Sequence, residues 1–380
     1  MKIGFDAKRA YHNNTGLGNY SRTLIRSLAN LFPTNNYFLF NPKQNNQHVF
    51  SENNIQEINP TSFLSKLFPS FWRSRWMANE IEKKVDIYHG LSNELPWSLL
   101  HKKCKTIVTI HDLIFEHYPE QYSQLDVFFY KNKFKFACQS ADRIIAISEA
   151  TKQDILNTYT KIDPTKIEVC YQSCDARFFL ENKKYHRDEY IGHFNLPNKY
   201  FIYVGSIIER KNLLSICKAM KLFNKEEDVQ LVVIGKGSAY KQQVKSYLVE
   251  NQLENQVIFL EDIFDRVQIF DALPFLYHFS TALIYPSIME GFGIPVLEAM
   301  ASGTAVITSN CSSLKEAGGD AAILIDPNNS NDIFNAMKKL NQEDVFRANC
   351  IEKGLLHANH FTNEKCAAQV MQVYHKMMLK

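Results

Sequence analysis

The chain has 380 residues, 45% of them hydrophobic, enough for a large buried core and beyond the length at which one core usually divides into two domains. A formal net charge of +3 excludes the strongly basic surface that nucleic-acid binding requires, and no apolar run approaches the roughly 20 residues of a membrane span. The eight cysteines include no C-x-x-C pair and Met1-Lys-Ile-Gly-Phe-Asp6 turns polar too soon for a signal peptide, so a reduced cytoplasmic protein is expected. The first 190 residues hold the basic excess, which permits an anionic partner there.

Short β-branched or aromatic runs alternate with longer helical patterns, beginning with a strand at Lys2 to Ala7 and a helix at Gly18 to Leu31. Strands follow at Tyr37 to Phe40, Asp86 to His89, Thr106 to Ile110, Arg143 to Ile147 and Ile167 to Tyr171. The expected helices between them cover Trp72 to Lys84, Leu125 to Ser140 and Glu149 to Tyr159. After the polar segment Glu181 to Asn198 a second series places strands at Tyr200 to Val204, Gln230 to Ile234, Val257 to Leu260, Ala282 to Tyr285, Ala305 to Thr308 and Ala321 to Ile325. Such alternation implies an α/β protein of two doubly wound, Rossmann-like domains facing a cleft, residues 1–190 and 191–362. A last helix, 363–380, is expected to cross back onto the first domain.

Ligands of doubly wound sheets collect at the carboxyl ends of strands. That rule singles out His111 and Asp112, Ser148, Gly205, Gly235, Gly237 and, through Pro286 and Ser287, Glu290. The stretch Glu290-Gly-Phe-Gly-Ile-Pro-Val-Leu-Glu298 is the most informative. Pro295 suits a first helical position and Gly303 a stop, so a short helix starts just after the glycine turn. Its unsatisfied amides and positive dipole end favour a phosphate. Two ionised glutamates beside a phosphate make sense when the rest of the ligand offers hydroxyls, as a ribose and a hexose do. A nucleotide sugar has that chemistry.

These residues form a known pattern. The E-G-F-G-x-P-x-x-E element, Tyr203-Val-Gly-Ser-Ile-Ile-Glu-Arg-Lys-Asn212, Ile110-His-Asp112, Ala146-Ile-Ser-Glu149 and Thr15-Gly-Leu-Gly-Asn19 together resemble the retaining glycosyltransferases of family 4, which have the GT-B fold. The resemblance spans residues 1 to 375, and it implies the following roles. Glu290 hydrogen-bonds the transferred sugar and Glu298 the ribose hydroxyls. Lys211 binds the diphosphate. Arg210 either replaces the cation that many relatives carry where this chain has Ser206, or points to solvent. His111 lies close to the donor sugar and its reaction centre, while Asp112 orients the loop or the imidazole. Gly205, Gly291, Phe292, Gly293 and Ile294 enclose the donor, and Asp262 follows a strand whose backbone approaches the base. Gly16 and Gly18 either let amides approach the sugar diphosphate or the acceptor, or simply form a tight turn. Ser148 reads first as a helix cap.

The same resemblance implies a mannose-type donor, GDP-mannose first, and retaining transfer by front-face attack onto a glycan or lipid-linked saccharide. With no D-x-D and no His/Cys cluster at ligand spacing, catalysis is expected without metal or other cofactor. Two segments mix aromatics with cations. The first, 63–76, with Lys66, Arg73 and Arg75, is either core or a site for an anionic membrane surface; in the second, 128–136, Phe128, Tyr130, Phe134 and Phe136 read as core. Other functions compatible with the pattern are a nucleotide-sugar hydrolase or epimerase, an inverting transferase, and a non-catalytic scaffold for a glycan or a partner. A dehydrogenase lacks support, because Ser21 and Tyr240 stand where the third glycine of a dinucleotide fingerprint belongs.

Overall fold

Parallel strands covered on both faces must be apolar along their whole length, and Ile87–Gly90, Leu231–Ile234 and Ala282–Tyr285 are buried at every position. A computed structural model describes residues 1–44, 49–100, 103–180, 184–223 and 229–379. Residues 181–183 of the expected polar segment, and Lys380 of the last helix, lie outside the described residues.

Among the described residues the first sheet contains β1 (Lys2–Asp6), β2 (Asn36–Phe40), β3 (Ile55–Ile58), β4 (Ile87–Gly90), β5 (Lys105–Ile110), β6 (Arg143–Ala146) and β7 (Ile167–Val169), in the order 3-2-1-4-5-6-7. The second contains β8 (Phe201–Val204), β9 (Leu231–Ile234), β10 (Val257–Phe259), β11 (Ala282–Tyr285), β12 (Val306–Ser309) and β13 (Ile323–Ile325), in the order 10-9-8-11-12-13. All pairings are parallel, with Phe5 opposite both Leu39 and His89 in the first sheet and Ile202 opposite Leu283 in the second. Each order reverses beside its first strand, between β1 and β4 and between β8 and β11. Those are the switch points at which open α/β sheets bind ligands.

The compact units are Met1–Ser173 with Asn363–Lys380, and Cys174–Thr362. The chain therefore divides before residue 190. Phe178 is buried against Tyr277, with ring centroids 6.0 Å apart, and the Arg177 guanidinium lies 3.8 Å above the Phe270 ring, so this stretch packs with the second unit. The helix Asn363–Met378 returns to the first unit: it buries Val370, Met371 and Tyr374, and the Tyr374 hydroxyl is 2.7 Å from His89 Nδ1. Each unit has its own apolar core, in which every fully buried Leu, Ile or Phe contributes about 1.5–3 kcal/mol.

Three features of the first unit depart from expectation. Strand β3 reads Ile-Gln-Glu-Ile and buries only Ile58, as an edge strand can, so it carries no apolar run to announce it. The helix expected from Trp72 to Lys84 begins instead with a wide π-helical turn, Trp72–Trp76, before Met77–Lys84. In the helix Gln124–Ser140, Phe134 is buried and Tyr130 and Phe136 pack at its edge, but Phe128 is exposed, contrary to its reading as core.

Candidate active site

Four groups converge on one oxygen. Glu290 Oε1 accepts from Ser287 Oγ at 2.6 Å, Arg210 Nη1 at 3.0 Å and Tyr285 Oη at 3.1 Å, and Lys211 Nζ lies 3.2 Å away. The backbone makes this possible. After β8 the chain passes Gly205, at φ +155°, and enters the 3₁₀ turn Glu209–Lys211, which ends on Asn212 in the left-handed region. A Cβ on Gly205 would lie 3.2 Å from Lys211 Cδ, so a bare backbone there lets Lys211 fold across the strand end to the Tyr285 hydroxyl. The loop after β11 is tied to that turn by the Ile288 amide, which donates to Arg210 O at 2.9 Å, while Ser312 and Ser313 donate to Glu290 O at 2.9 and 2.8 Å.

Burial alone would push the Glu290 carboxyl up. Lys211 and then Arg210, helped by the Ser287 hydrogen bond, outweigh it and hold the carboxyl at about 2. The cluster thus contains two cations and one anion, a net positive charge that favours an anionic ligand. Two valences remain uncommitted among the described residues: Glu290 Oε2, and the third N–H of Lys211.

The helix Ile294–Ala301 starts at Gly293, at φ +114°, with no side chain capping its first turn. A Cβ on Gly293 would meet Leu314 Cδ2 at 2.7 Å, so glycine is required here by both conformation and space. Phe292 is buried and faces Phe361, with centroids 5.4 Å apart, and therefore anchors the turn; Gly291 and Ile294 are half-buried beside it. On the same helix Glu298 accepts from the Tyr277 hydroxyl at 3.2 Å. Burial pushes its carboxyl up to about 7, against that hydrogen bond and the neighbouring Arg177. Asp262 is committed elsewhere: Lys241 donates to one oxygen, and Lys245 to the other at 2.8 Å.

In the first unit, His111 follows β5 and is buried. Its Nε2 donates to Leu91 O at 2.8 Å, and its Nδ1 accepts from the Gln172 amide at 2.7 Å. Burial pushes its pKa down to about 4, against the Leu91 bond that favours the charged form. Both ring nitrogens are thus occupied, so this imidazole is neutral and held in place. Asp112 accepts from the Ile114 amide at 3.1 Å, and Ser148 caps the helix Glu149–Thr158 through the Thr151 amide at 3.0 Å. Gly16 opens the helix Gly16–Leu31 with nothing within 4 Å of a Cβ placed on it, whereas a Cβ on Gly18 would lie 1.8 Å from Asn13 O. Gly18 is therefore explained by its own turn. Gly235 and Gly237 are required likewise by the carbonyls of Gly205 and Ile207.

Residues 15–178 match the family described as "Glycosyltransferase Family 4", and residues 187–357 match "Glycosyl transferases group 1". The two matches follow one another along nearly the whole chain, the first mainly on the first unit and the second on the second. The chain belongs to the family 4 glycosyltransferases. This glycosyltransferase is 26% identical to O-antigen chain mannosyltransferase B of Escherichia coli, over 98% of this chain and 99% of the relative. It is 28% identical to O-antigen chain mannosyltransferase RfbU of Salmonella typhimurium over 75% and 74% of the two chains. The structure of sucrose-phosphate synthase from Thermosynechococcus elongatus superposes with a TM-score of 0.77 at 19% identity, covering 100% and 99%, a likeness of fold, which is GT-B.

The structure brings Glu290, Lys211, Arg210, Gly205 and the Gly291–Ile294 turn of the glycosyltransferase together. It corrects the reading of Arg210 as a solvent-facing alternative, because that side chain is buried and donates to Met289 O and Glu290. Sequence reasoning missed Tyr285, Ser287, Ser312 and Ser313. The rule of strand ends reaches all four, since they end or follow β11 and β12. Among the described residues, no group of three or more His, Cys, Asp and Glu side chains could hold a metal ion, and no helix is long and apolar enough to cross a membrane.

Proposed function

We propose that this glycosyltransferase moves mannose from GDP-mannose to a hydroxyl of a glycan or lipid-linked saccharide in polysaccharide synthesis, with retention at the anomeric carbon and without a metal ion. The observation that carries the proposal is the Glu290 cluster, in which a carboxylate locked in its ionised form sits against a lysine that keeps one hydrogen to give. The names of the mannosyltransferase relatives support the choice of sugar.

In the proposed reaction the bond from the anomeric carbon to the phosphate oxygen breaks, its electron pair stays with the phosphate, and Lys211 with the positive dipole end of the Ile294–Ala301 helix stabilises the developing charge. Glu290 Oε2 accepts a hydroxyl hydrogen of the mannose. Arg210, held on Glu290 Oε1, keeps that carboxylate ionised and aimed. Glu298 accepts the ribose hydroxyls. The acceptor oxygen bonds the anomeric carbon on the face that the phosphate leaves, and its proton passes to the departing phosphate oxygen. His111 has no free nitrogen for that proton and is given no proton-transfer role.

The site is proposed to work at a membrane face. Phe63, Leu64, Leu67, Phe68 and Phe71 are exposed beside Lys66 and Arg75, which suits an anionic lipid surface. Arg73 is not part of that surface, because it is paired with Asp6 and Glu94.

Proton NMR of the product made from GDP-mannose in the presence of excess EDTA tests the reaction. An α-mannoside at undiminished rate is expected; an inverted anomeric centre, or activity that only Mg²⁺ or Mn²⁺ restores, contradicts the proposal.

A further inference from the structure

Tyr285 ends β11, one of the two strands at the switch point of the second sheet, and is buried. Its strand pairs in parallel with β12, and the Thr308 hydroxyl donates to Tyr285 O at 2.9 Å, so the backbone that carries the phenol is fixed. The phenol hydroxyl has a charged partner on each side: it accepts from Lys211 Nζ and donates to Glu290 Oε1 at 3.1 Å. An apolar strand end needs no hydroxyl, and a phenylalanine ring would fill the same space.

A phenol hydroxyl offers one hydrogen and two lone pairs. Burial and then the Glu290 charge push its pKa well above the ordinary value, so the hydrogen stays on the oxygen and points to the carboxylate. The lone pairs are left for Lys211. Glu290 does not depend on this bond, since Ser287 and Arg210 donate to the same oxygen at 2.6 and 3.0 Å. Lys211 does. Among the described residues its other close polar contact is Glu290 Oε1, 3.2 Å away. A lysine is a point charge on a flexible four-carbon stem, and beside a carboxylate alone it swivels about that one contact. A second contact removes the freedom: with one N–H on Tyr285 and one facing Glu290, the tetrahedral ammonium has a single direction left for its third.

We infer that Tyr285 is a positioning residue of the transfer reaction: its hydroxyl holds one hydrogen of Lys211 while Glu290 faces another, and so aims the third at the diphosphate of the donor. The inference rests on the reading of Lys211 as the cation that meets the diphosphate, and adds what holds that cation in place.

Calorimetry on the full chain with GDP, UDP and ADP reads diphosphate binding without sugar transfer, and the tightest of the three serves as the probe. The variants are Tyr285→Phe, which keeps the buried ring and removes only the hydroxyl, Lys211→Ala, and the two combined, each shown by circular dichroism to be folded. Lys211→Ala is expected to weaken the probe about tenfold or more, and Tyr285→Phe about three- to tenfold. The double variant is expected to match Lys211→Ala to within about twofold, because a hydroxyl that acts through the lysine has nothing to aim once the lysine is gone. A tyrosine with a merely structural role would instead add its full effect to that of the lysine. Binding by Tyr285→Phe equal to the parent, the full Tyr285→Phe effect in the Lys211→Ala background, or no binding of any of the three diphosphates overturns the assignment. Turnover of GDP-mannose by the parent, measured in parallel, separates the two claims. Coupled binding without turnover retains Tyr285 and removes the proposed donor, whereas a Lys211→Ala variant that binds as tightly as the parent removes both.

Discussion

Glu290 and Glu298 stand at the two ends of one motif, and their surroundings pull their acidities in opposite directions. Glu290 is surrounded by donors; Glu298 has Tyr277 and a buried setting. The folded pKa of Glu298, about 7, exceeds the 4.5 of an unperturbed carboxyl, so between those values the folded state retains a proton that the unfolded chain has lost. Stability therefore falls as pH rises through that window. Glu298→Gln should be about 1–3 kcal/mol more stable than the parent at about pH 8 and equal to it at about pH 4, by urea unfolding. A variant less stable than the parent at the higher pH contradicts this. That Glu290 and Lys211 lie at neighbouring strand ends was legible in the sequence, because each closely follows a short apolar strand run of the second series. Arg210 stayed open, since a cation next to a lysine in sequence says nothing about which of the two turns inward. His111 was legible as a strand-end residue, but the Leu91 and Gln172 partners that occupy its ring come from distant parts of the chain.

The turn Gly291–Ile294 and the helix it starts work as one element. Gly293→Ala should cost about 1–3 kcal/mol, because φ +114° and the Leu314 methyl both oppose a Cβ, whereas Gly16→Ala should stay within about 0.5 kcal/mol. Thermal unfolding of the two variants side by side checks the contrast, and equal effects would contradict it. The exposed strip from Phe63 to Phe71 gives a second expectation. Phe63→Ser with Phe68→Ser should weaken flotation with anionic liposomes several-fold while leaving the fold intact, and unchanged flotation would count against membrane docking. Elements with full apolar runs were legible in the sequence to within a residue or two. Strand β3 was not, because an edge strand needs only one buried side chain, and the π-helical turn at Trp72–Trp76 was not, because periodicity alone cannot reveal one extra residue in a turn.

Two doubly wound units were legible from the repeated strand and helix pattern, and so was the return of the last helix. The division at 173/174 was not, since Arg177 and Phe178 are assigned by their packing on Phe270 and Tyr277 rather than by local composition. Removing residues 363–380 takes Val370, Met371 and Tyr374 out of the core of the first unit and the hydroxyl away from His89. Hydrogen exchange should then show lost protection in β1, β2 and β4, with β8 to β13 retaining theirs; full protection in the first sheet contradicts that dependence. The proposed reaction depends above all on the Glu290 cluster being the place where a nucleotide sugar reacts. The direct measurement is kcat for mannosyl transfer from GDP-mannose by Glu290→Gln, in protein shown by circular dichroism to be folded. A fall of about 10²–10³-fold is predicted. A rate within about threefold of the parent contradicts the assignment.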